Sequence, residues 1–191
     1  MSKPPRDQNP YKLSWSTSGL TPLGQIQQSY EIVHATGIFS SGPEFTLISR
    51  TGANPGAIVG TFDWHSLSQK VKMKFPSRNV EISYRALNGH FDAHGDIGRV
   101  EWKATGMDGY KASWRLSEAD GKLLSIVELH SSGKTGTIEI QRTDLPWEAF
   151  EEVLVSSLAQ IEDHRRLLRN ARKSAIGALA SAAGLGAVIG T

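Results

Sequence analysis

Apolar and polar residues alternate with a period of two along most of this chain, and only near its end does the period lengthen. Val100, Trp102 and Ala104 fall on one side of a run in which Arg99, Glu101 and Lys103 fall on the other. Ala112, Trp114 and Leu116 oppose Lys111, Ser113 and Arg115, and Ile138 and Ile140 oppose Thr137, Glu139 and Gln141. Similar stretches predict strands over 11–16, 30–35, 44–50, 57–65, 69–75, 79–86, 98–105, 111–117, 122–130 and 136–142. Turn signals part them: Thr51-Gly52, Asn88-Gly89, Met107-Asp108-Gly109, Asp120-Gly121 and Ser132-Gly133.

The longer period sets in after Thr143 and predicts one helix over 144–172. Asp144 suits its N-cap and Pro146 its first turn. Glu148, Glu151 and Glu152 suit the positive end of the helix dipole. Phe150, Val153, Leu154, Leu158 and Ile161 keep the i, i+3, i+4 spacing, and Leu168 extends the stripe. Between Val153 and Ile161 the sequence VLVSSLAQI carries no charge. A helix buried on one face would show Lys or Glu on the other, whereas only Ser156, Ser157 and Gln160 are offered here. Protein is therefore expected on most sides of this helix. About ten strands followed by one enclosed helix predict an all-β fold, a closed antiparallel barrel of ten to twelve strands around a C-terminal hydrophobic helix.

Composition narrows the class. A chain of 191 residues with 39% hydrophobic content can build one core, and no internal repeat or long linker divides it. The expected organisation is a disordered polar tail over 1–10, the barrel over 11–173, and an uncharged small-residue tail over 174–191. The net charge of +2 is too small to argue for nucleic acid. No cysteine is present, which removes disulfides, thiol catalysis and cysteine metal sites and fits an intracellular protein. The first residues contain no apolar run of the signal-peptide kind.

The run GDIGRVEWKATGMDGYKASWRL over 95–116, then Asp120-Gly121 and the small apolar strand over 124–128, together with Phe62-Asp63-Trp64-His65, resembles a fungal domain family of the tubby C-terminal-like superfamily. That superfamily also holds the phospholipid scramblases and the LURP-one-related proteins. The resemblance spans roughly 13–168. It implies a barrel of about twelve strands threaded by a hydrophobic helix, and phosphoinositide or other anionic phospholipid as ligand. The basic pair used by tubby proteins has no matching positions here, and the central helix is more polar than that of scramblases.

The candidate chemistry follows from the residues themselves. Lys70, Lys72 and Lys74 alternate with Val71, Met73 and Phe75, so the lysines share one strand face about 7 Å apart, and Arg78 follows the turn at Pro76. Such a row either meets lipid phosphates or guards a solvated strand. His90, Asp92, His94 and Asp96 alternate in a loop-like stretch, but no second cluster supports a metal, and no metal or cofactor is expected. No nucleophile elbow, dinucleotide fingerprint or phosphate loop occurs, so no enzyme activity is expected. The tryptophans Trp15, Trp64, Trp102, Trp114 and Trp147 read as core or rim rather than as a stacking platform for nucleic acid. Arg165, Arg166, Arg169, Arg172 and Lys173 form a membrane-proximal collar ahead of SAIGALASAAGLGAVIGT, where Gly186 and Gly190 make a G-x-x-x-G pair. That tail either dips into a membrane, packs as a helix on a protein partner, or is a flexible small-residue tail. The expected function is a non-enzymatic, membrane-associated lipid-binding module, cytoplasmic or peripheral. The alternative is a soluble structural or protein-interaction domain, and a pocket at the barrel mouth serving an enzyme or carrier is the third possibility.

Overall fold

In a computed structural model the described residues are 10–23, 28–35, 43–52, 54–65, 70–85 and 89–186. The expectations for 1–9 and 187–191 lie outside them, and of the side chains of 65, 96, 173 and 176–186 nothing is described. Twelve strands form one antiparallel sheet: β1 (Tyr11–Ser16), β2 (Gly19–Pro22), β3 (Tyr30–His34), β4 (Phe45–Ser49), β5 (Ile58–His65), β6 (Lys70–Phe75), β7 (Val80–Arg85), β8 (His90–Ala93), β9 (Gly98–Asp108), β10 (Lys111–Glu118), β11 (Leu123–Leu129) and β12 (Thr135–Ile140). Their spatial order runs β7-β6-β5-β4-β3-β2-β1-β12-β11-β10-β9-β8. Tyr11 pairs with Ile140, which joins the first strand to the last. The sheet curls until β7 and β8 lie side by side, and no hydrogen-bonded ladder links them. The barrel is therefore nearly closed, with a seam where Tyr84 and Phe91 approach to 5.3 Å between ring centroids.

The first part of helix α1 (Trp147–Gly186) fills the interior. Every residue from 149 to 164 is buried, the enclosure on all sides that the uncharged run implied. Leu154, Leu158 and Ile161 are wholly buried, and so are Ser156, Ser157 and Gln160. Ser157 donates to the Val153 carbonyl at 2.7 Å and meets Ser125 of β11 at 3.3 Å, and Tyr84 donates to the Ser156 carbonyl at 3.3 Å. Strand Cα atoms must come close to a helix of this girth, and Gly60 of β5 makes room. A Cβ there would lie 2.8 Å from Val155 Cγ2. Trp15, Trp102 and Trp114 complete the core, with Trp64 and Trp147 packed at its edge.

Three departures from the sequence reading have local causes. β2 and β8, each four residues long, are too short for alternation to show, and the stretch read as a loop around His90 is strand β8. The helix starts at Trp147 rather than at an Asp144 cap, because the Asp144 carboxylate is drawn to Arg142, whose Nε donates at 2.8 Å. It also runs past Arg172 to Gly186, since Ala-rich sequence continues a helix once one is nucleated.

Candidate functional site

The alternating strand directions give the barrel two ends. The β6–β7 turn, the short 3-10 turn Gly95–Ile97 and the start of α1 share one end, and the β1–β2 and β9–β10 turns share the other, where α1 leaves. The sequence-based site residues divide between the outer wall and both ends.

The lysine row exists as expected on the outer face of β6. Val71, Met73 and Phe75 point inward and are wholly buried, while Lys70 and Lys74 are exposed. Lys72 is half-buried and its Nζ lies 2.7 Å from Glu81 of β7. Across the sheet Lys72 pairs with Asp63 and Lys74 with Glu81, so two carboxylates are interleaved with three lysines. Arg85 of β7, opposite Lys70, adds a further exposed cation.

Arg78 does not join that row. Its chain turns in beneath the barrel, where Nη1 donates to Glu152 at 2.7 Å and Nη2 to the Glu148 carbonyl at 3.2 Å, and the guanidinium lies 4.7 Å from the centroid of the Phe75 ring. Its side chain is only 15% exposed, and its charge is met by Glu152 and Glu151. Burial pushes the Glu151 carboxyl up, with Arg78 pulling it the other way.

At the exit end the arginine collar splits. Arg165 Nη1 bonds Glu162 at 2.7 Å and its guanidinium sits over Trp15, and Arg166 Nη2 bonds Asp163 at 2.9 Å over Trp64. Both carboxylates are buried, and each arginine is paired with one of them. Arg169 and Arg172 are exposed. Arg172 lies 4.7 Å over the ring of Tyr110 at the tip of the β9–β10 hairpin, and His164 meets the Gly109 carbonyl at 3.0 Å. The hairpin is thereby strapped to the helix where it emerges. Lys173 belongs to the same helical segment, its side chain lying outside the described ones.

The sequence reading missed Glu152, Glu162 and Asp163, which it had no reason to bury. Their signal is the i, i+3 spacing of Glu162 to Arg165 and Asp163 to Arg166, which lets a carboxylate enter the barrel with its counter-ion. Among the described residues no group of three or more His, Asp or Glu side chains gathers as a metal site, and His90 and Asp92 sit on the outer face of β8. Thr105 and Ser113, 2.8 Å apart, stand on strands that flank an outer groove of about 470 Å³ whose lining includes Asp108, Lys111, Glu128 and His130. Among the described residues no helix is long and apolar enough to cross a membrane. The chain matches no family model, no curated protein and no solved structure.

Proposed function

We propose that this chain is a non-catalytic barrel that docks on anionic phospholipid through the segment of α1 that leaves the barrel. One observation carries the reading: α1 continues as helix from Arg165 to Gly186, past the buried stretch 149–164. After Asp163 the sequence holds five cations and no carboxylate. On this reading the extension of about 30 Å would bring Arg169 and Arg172 to the level of lipid phosphates, with the Ala/Gly/Ile/Leu sequence beyond them entering the interface. The lysine row on β6 adds a weaker contact, because Glu81 and Asp63 stand beside it. The resemblance to the tubby-like superfamily agrees with phosphoinositide or another anionic lipid as ligand and with a cytoplasmic membrane surface as the place of work.

The interior supports a binding role over a carrier role, since α1 occupies the space a carried ligand would take. A second reading, a protein-interaction domain with no lipid ligand, draws on the internal pairing of Arg78, Arg165 and Arg166, which leaves fewer free cations than the sequence suggests. Sedimentation of the full chain with phosphatidylcholine vesicles, with and without phosphatidylserine or a phosphoinositide, separates the two. Retention on the anionic vesicles alone supports docking. Equal absence from both supports the protein-interaction reading.

A further inference from the structure

The exit end of the barrel holds cations and buried carboxylates in contact, and from this arrangement we infer that membrane docking is strengthened by acid, with Asp163 as a counter-ion latch on Arg166. The inference rests on the docking reading and concerns the regulation of the same end of the molecule.

Asp163 is 2% exposed and its Oδ1 accepts from Arg166 Nη2 at 2.9 Å. Arg166 is only partly satisfied by this bond. Its Nε is buried with no hydrogen-bond partner among the described residues, and the guanidinium is otherwise held over the Trp64 ring at 5.1 Å. The ionisable groups facing Asp163 are Arg166 and His164 from α1 and Tyr84 from β7. Glu44, at the start of β4, faces Arg166 and Arg169 from the rim, with Asp63 and Glu162 as its acidic neighbours, and its backbone N–H donates to Asp63 Oδ1 at 2.5 Å. Two carboxylates therefore oppose Arg166 and Arg169, where the sequence alone shows an unopposed basic collar.

Burial pushes both the Asp163 and the Glu44 carboxyl up, against the pull of Arg166. A raised carboxyl takes up its proton earlier as pH falls, and the arginine left behind keeps its charge. Each proton bound adds one positive charge at the emergent helix. An anionic surface, binding the protonated form better, must in turn raise the proton affinity of these groups. One extra charge near such a surface strengthens binding about fivefold.

The test uses the full chain on phosphatidylcholine vesicles with and without phosphatidylserine, at about pH 7.4 and about pH 5, the side-chain ranges being those of carboxyl and imidazole groups. Wild type should bind the anionic vesicles several-fold more tightly in acid. Asp163→Asn should bind at the higher pH nearly as wild type does in acid, with the ratio between the two conditions reduced. Glu44→Gln, at a rim position that is only partly desolvated and lies outside the core, should move the same way and carries the test if Asp163→Asn does not fold. The comparison of each variant with wild type at both pH values subtracts whatever acid response the rest of the chain contributes. An acid-to-neutral ratio unchanged in both variants overturns the latch while docking stands. Absence of binding to the anionic vesicles at both pH values overturns docking and the latch together.

Discussion

Arg78 Nη1 lies 2.7 Å from Glu152 Oε1, and the other oxygen of that carboxylate accepts the backbone N–H of His94 at 2.7 Å. Arg78 follows β6 and precedes β7, and His94 follows β8, so one carboxylate of the enclosed helix ties together the two strands between which no ladder forms. The helix thus closes the barrel chemically as well as filling it.

Removing one partner exposes the worth of that tie. Arg78→Met leaves Glu152 buried without its counter-ion and should cost about 3–5 kcal/mol, read as a fall in the urea midpoint. Arg78→Met with Glu152→Gln should recover part of the loss. Vesicle binding by the folded fraction should not change, because Arg78 faces the interior; a weaker binding at unchanged stability would restore it to the lipid site.

The contact between Gly60 and Val155 tests the threading of the helix directly. Gly60→Ala pushes a methyl to within 2.8 Å of Val155 Cγ2 and 3.2 Å of the Phe75 ring, and overpacking of this kind costs about 1–3 kcal/mol. Val155→Ala alone loses its own packing, yet it opens the space the new methyl needs. The double variant should be more stable than the two single losses added together. Strict additivity would mean that the helix does not pass this point of the sheet.

Acid should stabilise the fold before it harms it. Glu151 and Asp163 have carboxyls raised in the folded state by burial. A group of that kind stabilises most below its unfolded pKa, and the benefit is lost as pH rises through the folded value. Melting temperature should therefore climb as pH moves from neutral to mildly acid, and Glu151→Gln should flatten the climb. Asp144 has the opposite sign, since the bond from Arg142 holds it low. Its contribution is present above its unfolded pKa and vanishes as pH falls further, below about 4. A melting temperature that falls steadily from neutral pH downward would contradict the burial of the helix carboxylates.

Most of the barrel could be read from the chain because period two survives wherever a strand has one face on the core, as in Val100, Trp102 and their neighbours. The enclosed helix was legible from the missing charges between Val153 and Ile161. The order of the strands was not, since pairing β1 with β12 joins residues far apart in sequence and leaves no local mark. The lysine row was placed on the right face, while Arg78 was not, because a turn after Pro76 gives no sign of which way the next side chain swings. The collar was overcounted for the same reason: Arg165 and Arg166 look free until Glu162 and Asp163 are seen inside the barrel with them.

Replacing Lys70, Lys72 and Lys74 with Gln should weaken anionic vesicle binding only modestly. A free lysine near such a surface is worth about 1 kcal/mol, and the ion pair of Lys72 with Glu81 reduces its share. The loss should shrink with added salt. Unchanged partitioning at low salt would leave the row as a guarded strand face.

The emergent helix carries the account, and its deletion is the most direct test. A chain ending at Lys173 keeps the buried stretch 149–164 of α1, so its melting temperature should stay within a few degrees of the full chain. Its recovery on phosphatidylserine vesicles should fall further than that of the triple lysine variant, because the apolar segment it lacks would bury several side chains at about 1.5–3 kcal/mol each as an upper bound. A truncated chain that folds and sediments with anionic vesicles as fully as the intact one would contradict docking through the end of α1.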